Sequence, residues 1–298
     1  MRGFSFEVRS GVRLALKGRA AQALVRAFGR KAVARLGRFL SMQARLDLPN
    51  DRRTNGEALV QRAYLESWHR AGVRAVVIDV GANVGDWSLG LAEQRTPGGS
   101  LRGGMVLHMM EPVPASRAAL ERRLEGFGWA AELEVVAAAV SDEEGEQRFH
   151  VYGEAGRRSS LAPIVGEAPR KELLVPTITL DGHARSRGFE RLSFVKIDTE
   201  GFDMAVLRGA VGLLRERRID ALQFEYNQRW IETRTFLRDA FELLAPLGYA
   251  LGKVTPHGIE RYAHWHFELE TFREGNYLAW HGALPEGLAE FPWWHASG

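Results

Sequence analysis

The sequence predicts an α/β fold: a doubly wound, mostly parallel sheet with helices on both faces, preceded by a basic helical extension. Three observations predict it. From Arg74 onward short apolar runs alternate with helical patterns, the rhythm of strand–helix–strand units. Run after run stops on an acid, which sets carboxylates at the strand ends, where open α/β sheets hold their ligands. The first of these runs enters a loop with two glycines, "VVIDVGANVGDWS" (Val76–Ser88).

The extension comes first in the chain. Residues 1–40 hold ten Lys or Arg and a single acid, Glu7, a net charge of +9; the whole 298-residue chain carries +3, which leaves −6 for the rest. Within it Leu24, Val25, Phe28, Leu36, Phe39 and Leu40 fall on one half of a helical wheel, and Arg19, Arg26, Arg30, Lys31 and Arg38 on the other. Such a helix can lie on an anionic membrane, grip a nucleic-acid backbone or dock on its own domain. The expected organisation is therefore an extension over residues 1–50 and a main domain over residues 51–298, with peripheral membrane contact through residues 1–45 as one role for the arm.

"LPNDRRTNGEAL" (Leu48–Leu59) reads as a loop and leads to a helix from about Glu57 to Ala71. Strand Ala75–Asp79 precedes a helix from Asp86, and strand Met105–Met110 a helix over Ala115–Leu124. Strand Leu133–Val140 follows. Then come Phe194–Ile197 with a helix over Met204–Arg217, and Ala221–Phe224 with a helix over Thr233–Leu247. The strand-end residues are Asp79, Glu111, Ser141 with Asp142, Asp198 with Glu200, and Glu225 with Asn227. A lone strand-end acid is usually a turn former; five such ends in one sheet point to a site.

The glycine loop excludes two ligands. A dinucleotide loop needs G-x-G-x-x-G, and here Asn83 stands at the second glycine. A Walker loop needs a Lys after its last glycine, and none follows Gly85. What remains is D-x-G-x-x-x-G, in which Gly81 and Gly85 let the backbone pass close to a ligand without phosphate and Asp79 can face a cationic amino group. Glu111, ending "VLHMMEP", is placed to accept both hydrogen bonds of a ribose diol. An amino acid joined to a nucleoside is S-adenosylmethionine.

"VVIDVGANVGDWS", "MMEPVPAS", "AAAVSDEEG" and "FVKIDTEGFDMAVLRGA", in this order, resemble the FkbM family of class I S-adenosylmethionine-dependent methyltransferases. The resemblance runs from about Asn55 to "NYLAWH" (Asn276–His281), and "KIDTEG" (Lys196–Gly201) is its most specific element. It implies a Rossmann-like sheet of seven strands and methyl transfer, usually to a hydroxyl of a small molecule or glycan. It also implies that Asp79, Gly81, Asn83 and Gly85 surround the methionine part, with Trp87 and Ser88 beside the loop. Glu111 is then on the ribose, and Ser141 or Asp142 near the adenine.

Methylating an aliphatic hydroxyl needs an in-line approach and a proton acceptor. Asp198 is the expected base, with Glu225 across the pocket and His257, in the "KVTPHG" turn, as a further candidate. Asp198, Glu225 and Asn227 also form a hard-oxygen set suited to Mg²⁺. Tyr226, Trp230, Tyr262 and Trp265 are candidates to line the acceptor pocket. A nucleic-acid methyltransferase is the alternative that the basic arm favours, but the [DN]-P-P-[YF] motif is absent and "DTEG" stands in its place. A non-catalytic S-adenosylmethionine-binding module is the third reading, and the full set of strand-end acids argues against it.

The chain contains no cysteine, which excludes disulfides, thiolate zinc sites, iron–sulfur clusters and cysteine nucleophiles. It has no apolar run of the roughly 18–20 residues needed to span a bilayer and no secretory signal pattern. The expectation is a cytoplasmic protein.

Overall fold

The computed structural model describes residues 18–47, 51–94, 102–125, 131–152 and 159–294. The chain divides into two units, Met1–Leu48 and Pro49–Gly298. In the first, residues 18–28 are helical, Gly29 breaks the helix with φ 80°, and α1 follows over Arg30–Ala44. Residues 1–17 of the expected basic arm lie outside the described residues.

The second unit opens with α2 (Glu57–Ala71), whose apolar side buries Val60, Tyr64 and Trp68. The main elements then follow as β1 (Ala75–Val80), α3 (Asp86–Glu93), β2 (Met105–Met110), α4 (Pro114–Glu125), β3 (Glu132–Val136), β4 (Ala139–Val140), β5 (Gly145–Val151) and β6 (Lys171–Ile178). After these come α5 (Leu180–Arg187), β7 (Phe194–Ile197), α6 (Asp203–Arg208), α7 (Val211–Arg215), β8 (Ala221–Tyr226), α8 (Leu237–Leu244), β9 (Ala250–Thr255), β10 (Gly258–Tyr262), β11 (Gly275–Trp280) and β12 (Glu290–Pro292).

Among the described residues the main sheet has nine strands in the order β12-β10-β9-β11-β8-β7-β1-β2-β3. β3, β2, β1, β7 and β8 run parallel, and β11 is antiparallel to both β8 and β9. This is a Rossmann-like, doubly wound sheet. The seven strands from β3 to β9 match the expected count, and β10 and β12 extend that edge by two.

The central strands are apolar on both faces because both faces are covered. Ile78, Val80, Val195, Ile197, Leu222 and Phe224 pack into one core. Ala75, Val77, Leu107, Met109, Phe194 and Ala221 pack into the other. Alternate residues of one strand thus serve opposite layers.

Several boundaries differ from the sequence expectation. The run Leu133–Val140 is two strands, because β4 leaves the main sheet and pairs with β6 in a separate three-stranded sheet, β4-β6-β5. The predicted helix Met204–Arg217 is broken between α6 and α7. Gly209 sits at the break, where a Cβ would lie 2.1 Å from the Ser141 carbonyl oxygen. Tyr226, Trp230 and Tyr262 belong to the core, and Trp265 packs against it, so these aromatics do not line the cavity at the strand ends. In the C-terminal "FPWWH", Trp293 is buried and meets Tyr262 edge-on; His295 lies outside the described residues.

Candidate functional site

The sheet changes winding direction between β1 and β7: β2 and β3 extend it on one side, β8 on the other. Crevices form at such a switch point, outside the carboxyl ends of the strands. A cavity of about 560 Å³ opens there, with the loops after β1, β2 and β7 on its wall. Residues of β4 and β5, and Asp51 and Arg52 ahead of α2, also line it.

The loop after β1 is shaped by close approach. Gly81 has φ 79°, and a Cβ on it would stand 1.9 Å from the Asp198 carbonyl oxygen. Only glycine meets both demands. Gly85 (φ 84°) leaves room for Leu120, 2.3 Å from where its Cβ would be; it seats α4 against the loop and does not line the cavity.

Asp79 stands one residue before the end of β1 with 1% of its surface exposed and lines the cavity. Its Oδ2 accepts a 2.6 Å hydrogen bond from the Ser88 hydroxyl. Ser88 is itself buried and is not on the cavity wall, so it holds Asp79 in place and does not reach a ligand. Burial pushes the Asp79 carboxyl up to about 6, against the opposing pull of Ser88 and Lys196.

Glu111 is gripped by the backbone. Its two carboxylate oxygens accept from the Val113 and Asn83 amides at 2.7 and 2.9 Å. Burial nevertheless raises its carboxyl to about 7. Beside it Asn83, at φ 49°, keeps a buried Oδ1 with no protein partner. Asp79, Asn83 and Glu111 thus line one cavity. Those are the groups that an ammonium and a ribose diol require, and the fit to S-adenosylmethionine rests on them.

Ser141 and Asp142 are placed elsewhere. Ser141 is fully buried and donates its hydroxyl to Asp142 Oδ1 at 3.0 Å, Asp142 is exposed, and neither lines the cavity. The wall at that end is Ala138, Ala139 and Val140 with Pro112, an apolar surface suited to a base plane. The segment reaches the cavity through Ala138, Ala139 and Val140, and not through the expected Ser141 or Asp142.

At the other end stand Asp198, Thr199, Glu200, Phe202 and Glu274. Glu200 has φ 55°, a conformation rare for a non-glycine residue. Burial, and then the charge of Asp198, push its carboxyl up to about 8. Glu225 is buried and its Oε2 accepts from Asn227 Nδ2 at 2.6 Å. Burial and the neighbouring Asp198 raise its pKa well above the carboxylate range. It lies behind the cavity wall, and so does Asn227. His257 is exposed in the β9–β10 turn, where its backbone amide donates to Thr255 Oγ1. It does not line the cavity.

The magnesium expectation fails on its ligands. Asn227 directs an amide nitrogen at Glu225, and the Lys196 ammonium stands 3.3 Å from Asp198 Oδ2. Among the described residues no group of three His, Asp or Glu is arranged to hold a metal ion. The positive charge of this region belongs to Lys196. It is 2% exposed, it also donates to the Ile197 carbonyl at 3.3 Å, and its second ion-pair partner is Glu57 Oε1 at 4.0 Å.

Glu57 was missed by sequence reasoning because it reads as the first residue of a surface helix. It is buried, and its Oε1 and Oε2 accept from Gln223 at 2.6 Å and Asn55 at 3.1 Å. The one available signal was Lys196 itself, a charge inside the apolar strand "FVKI", which has to be paired. Arg52 was missed as well. It pairs with Glu93 at 3.0 Å across Gly90, where a Cβ would be 1.8 Å from its Nη1. That clasp draws the segment ahead of α2 onto α3 beside the cavity.

Comparison with known proteins gives three results. A family model described as "Methyltransferase FkbM domain" matches residues 79–251. No curated protein matches the chain. Among solved structures it is similar to an rRNA methylase from Streptococcus thermophilus, at 10% identity and a TM-score of 0.39 over 75% of this chain and 94% of that one. It is similar to precorrin-6y C5,15-methyltransferase from Geobacter metallireducens, at 13% identity and a TM-score of 0.39 over 75% and 88%. A third is a SAM-dependent methyltransferase from Agrobacterium tumefaciens, at 11% identity and a TM-score of 0.40 over 74% and 60%.

Proposed function

The chain belongs to the FkbM methyltransferase domain family and is an S-adenosylmethionine-dependent methyltransferase, and from that premise we propose that it methylates a hydroxyl group of a small molecule or glycan. The observation that carries this reading is that Asp198 and Glu200 face the same cavity as Asp79 and Glu111. Donor-holding groups and proton-accepting groups thus meet in one space.

In this reading Asp79 takes the amino group of the donor, Glu111 the ribose diol, and Gly81 and Asn83 the methionine part. The donor supplies a methyl group already electrophilic on its sulfonium, so the chain's own work is placement and proton removal. Asp198 and Glu200 take the hydroxyl proton as a pair. Burial, and then the charge of Asp198, favour the protonated form of Glu200. Lys196 keeps Asp198 in position, and Glu225 sits behind it as part of the charge balance. No step passes through a metal.

A polyanionic acceptor fits this site poorly. Arg52 and Lys196 are the cations among the described lining residues, both are already paired, and eight acids line the same cavity. Phosphodiesters would face like charge, which favours a neutral or cationic acceptor over nucleic acid. The absence of cysteine suits a reducing compartment, and we read the enzyme as cytoplasmic.

The test pairs a binding measurement with turnover. Asp198→Asn is expected to lower turnover by at least about a hundredfold while donor affinity stays within a few-fold of the parent. Acceptors are found by mass spectrometry of extracts incubated with methyl-labelled donor. Label recovered in nucleic acid, or full activity in Asp198→Asn, contradicts the proposal.

A further inference from the structure

We propose that the N-terminal unit is a membrane-docking device: α1 and the helical residues before it lie in the plane of an anionic lipid surface, with their apolar side in the acyl boundary. The inference is independent of which acceptor the cavity takes.

Exposure is the first observation. No residue of α1 is buried. Phe28 is 68% exposed, Leu36 55%, Phe39 57% and Leu40 56%, and Leu24 adds 47% in the helical stretch before the Gly29 break. Scattered apolar residues on a surface need no explanation, but a continuous stripe of Phe and Leu does.

Charge placement is the second. At about 100° per residue, Ala32, Val33, Leu36, Phe39 and Leu40 share one arc of α1. Arg30 and Arg35 stand at its two borders, and Lys31 and Arg38 lie behind it. Border arginines can bury their stems beside the apolar stripe and raise their guanidinium groups to lipid phosphates. The described part of the unit, residues 18–47, holds seven Lys or Arg and one acid, Asp47.

Length and composition fix the mode of contact. Fifteen residues of α1 rise only about 22 Å, and among the described residues no helix is long and apolar enough to cross a membrane. An amphipathic, strongly basic helix of this kind lies on the surface and does not span.

Two other occupants fit less well. A second copy of the arm would cover the apolar stripe but bring two strongly positive helices together. A nucleic-acid backbone would satisfy the cations and leave Phe28, Leu36, Phe39 and Leu40 in water. Only an anionic bilayer answers both faces.

The experiment is vesicle co-sedimentation of the full-length protein. The probes are phosphatidylcholine vesicles with and without phosphatidylserine, at low and high salt. Binding is expected to need the anionic lipid and to fall about tenfold or more as salt rises and screens the contact. Leu36→Glu with Phe39→Glu should abolish it. Glutamate keeps helix propensity, so unchanged circular dichroism shows that the variant is folded. Three outcomes overturn the proposal: no sedimentation with anionic vesicles, equal sedimentation of the variant, or release of the vesicles by a stable dimer. Preferential capture by a duplex oligonucleotide, insensitive to the two Glu substitutions, assigns the arm to nucleic acid instead.

Discussion

Lys196 stands in β7 between Val195 and Ile197 with 2% of its surface exposed, and burial by itself would drive its ammonium toward neutrality. The carboxylates of Asp198, Glu57, Glu225 and Asp79 more than offset that, and its pKa lies above the ordinary lysine range. One buried cation therefore balances acids from both halves of the site. Removing it leaves those acids uncompensated in a low-dielectric interior, which typically costs about 3–5 kcal/mol when one partner of a buried pair is lost. Lys196→Met, which keeps the volume and loses the charge, is expected to lower the denaturation midpoint accordingly. Chemical denaturation measures it, and a midpoint unchanged from the parent would show that the acids are neutral without Lys196.

At the scale of elements, the loop after β1 and the end of β7 are built to touch. Asp198 donates its amide to the Val80 carbonyl at 3.0 Å, and Gly81 has no Cβ to keep the two chains apart. Gly81→Ala adds a methyl where backbone already lies and asks for a positive φ. It is expected to cost at least about 2 kcal/mol and to weaken donor binding sharply; a variant with parental stability and affinity would contradict this account of the loop. These elements were also the readable ones. β1, β2, β7 and β8 are short, mostly apolar runs ending on or next to acids, and α2 was placed over the residues it occupies because its apolar spacing and the glycines at its ends are local signals. β5, β6 and β9–β12 were not readable in the same way. β5 is mostly polar, and in β6 the apolar run Leu173–Val175 is half exposed and stopped by Pro176, so neither reads as a buried strand. β9 and β10 carry buried Lys253 and Glu260, which break the apolar pattern. Asp79, Glu111 and Glu225 were all read from strand ends, Ser88 from the family resemblance and His257 from its turn; of these Asp79 and Glu111 line the cavity, and only side-chain direction separates a supporting residue from a lining one.

The whole molecule stores protonation energy in its site. Asp79, Glu111, Asp203 and Glu200 have carboxyls raised by burial to about 6, 7, 7 and 8, so the folded state binds protons that the unfolded chain has released. Their contribution to stability is full below the ordinary carboxylate range and is lost as pH rises through those values. The buried pair His108 and His183, 3.0 Å apart, acts in the opposite sense. Burial lowers both, His183 to about 4, and destabilises the fold as pH falls below the ordinary histidine range. Between about pH 7.5 and 9 both histidines are neutral in the folded and the unfolded chain and only the acids operate, at about 1.4 kcal/mol per pH unit for each excess proton held. The melting temperature of the ligand-free protein should fall across that window, and a flat or rising profile contradicts the assignment. The same crowding of acids is the reason the cavity favours a cationic donor. Calorimetric titration of the parent protein and Glu111→Ala with S-adenosylmethionine tests that directly. The account predicts binding in the micromolar range, about −8 kcal/mol, weakened at least about tenfold by the substitution, which removes a charged hydrogen-bond acceptor. No heat of binding in the parent protein, or equal affinity in Glu111→Ala, contradicts it.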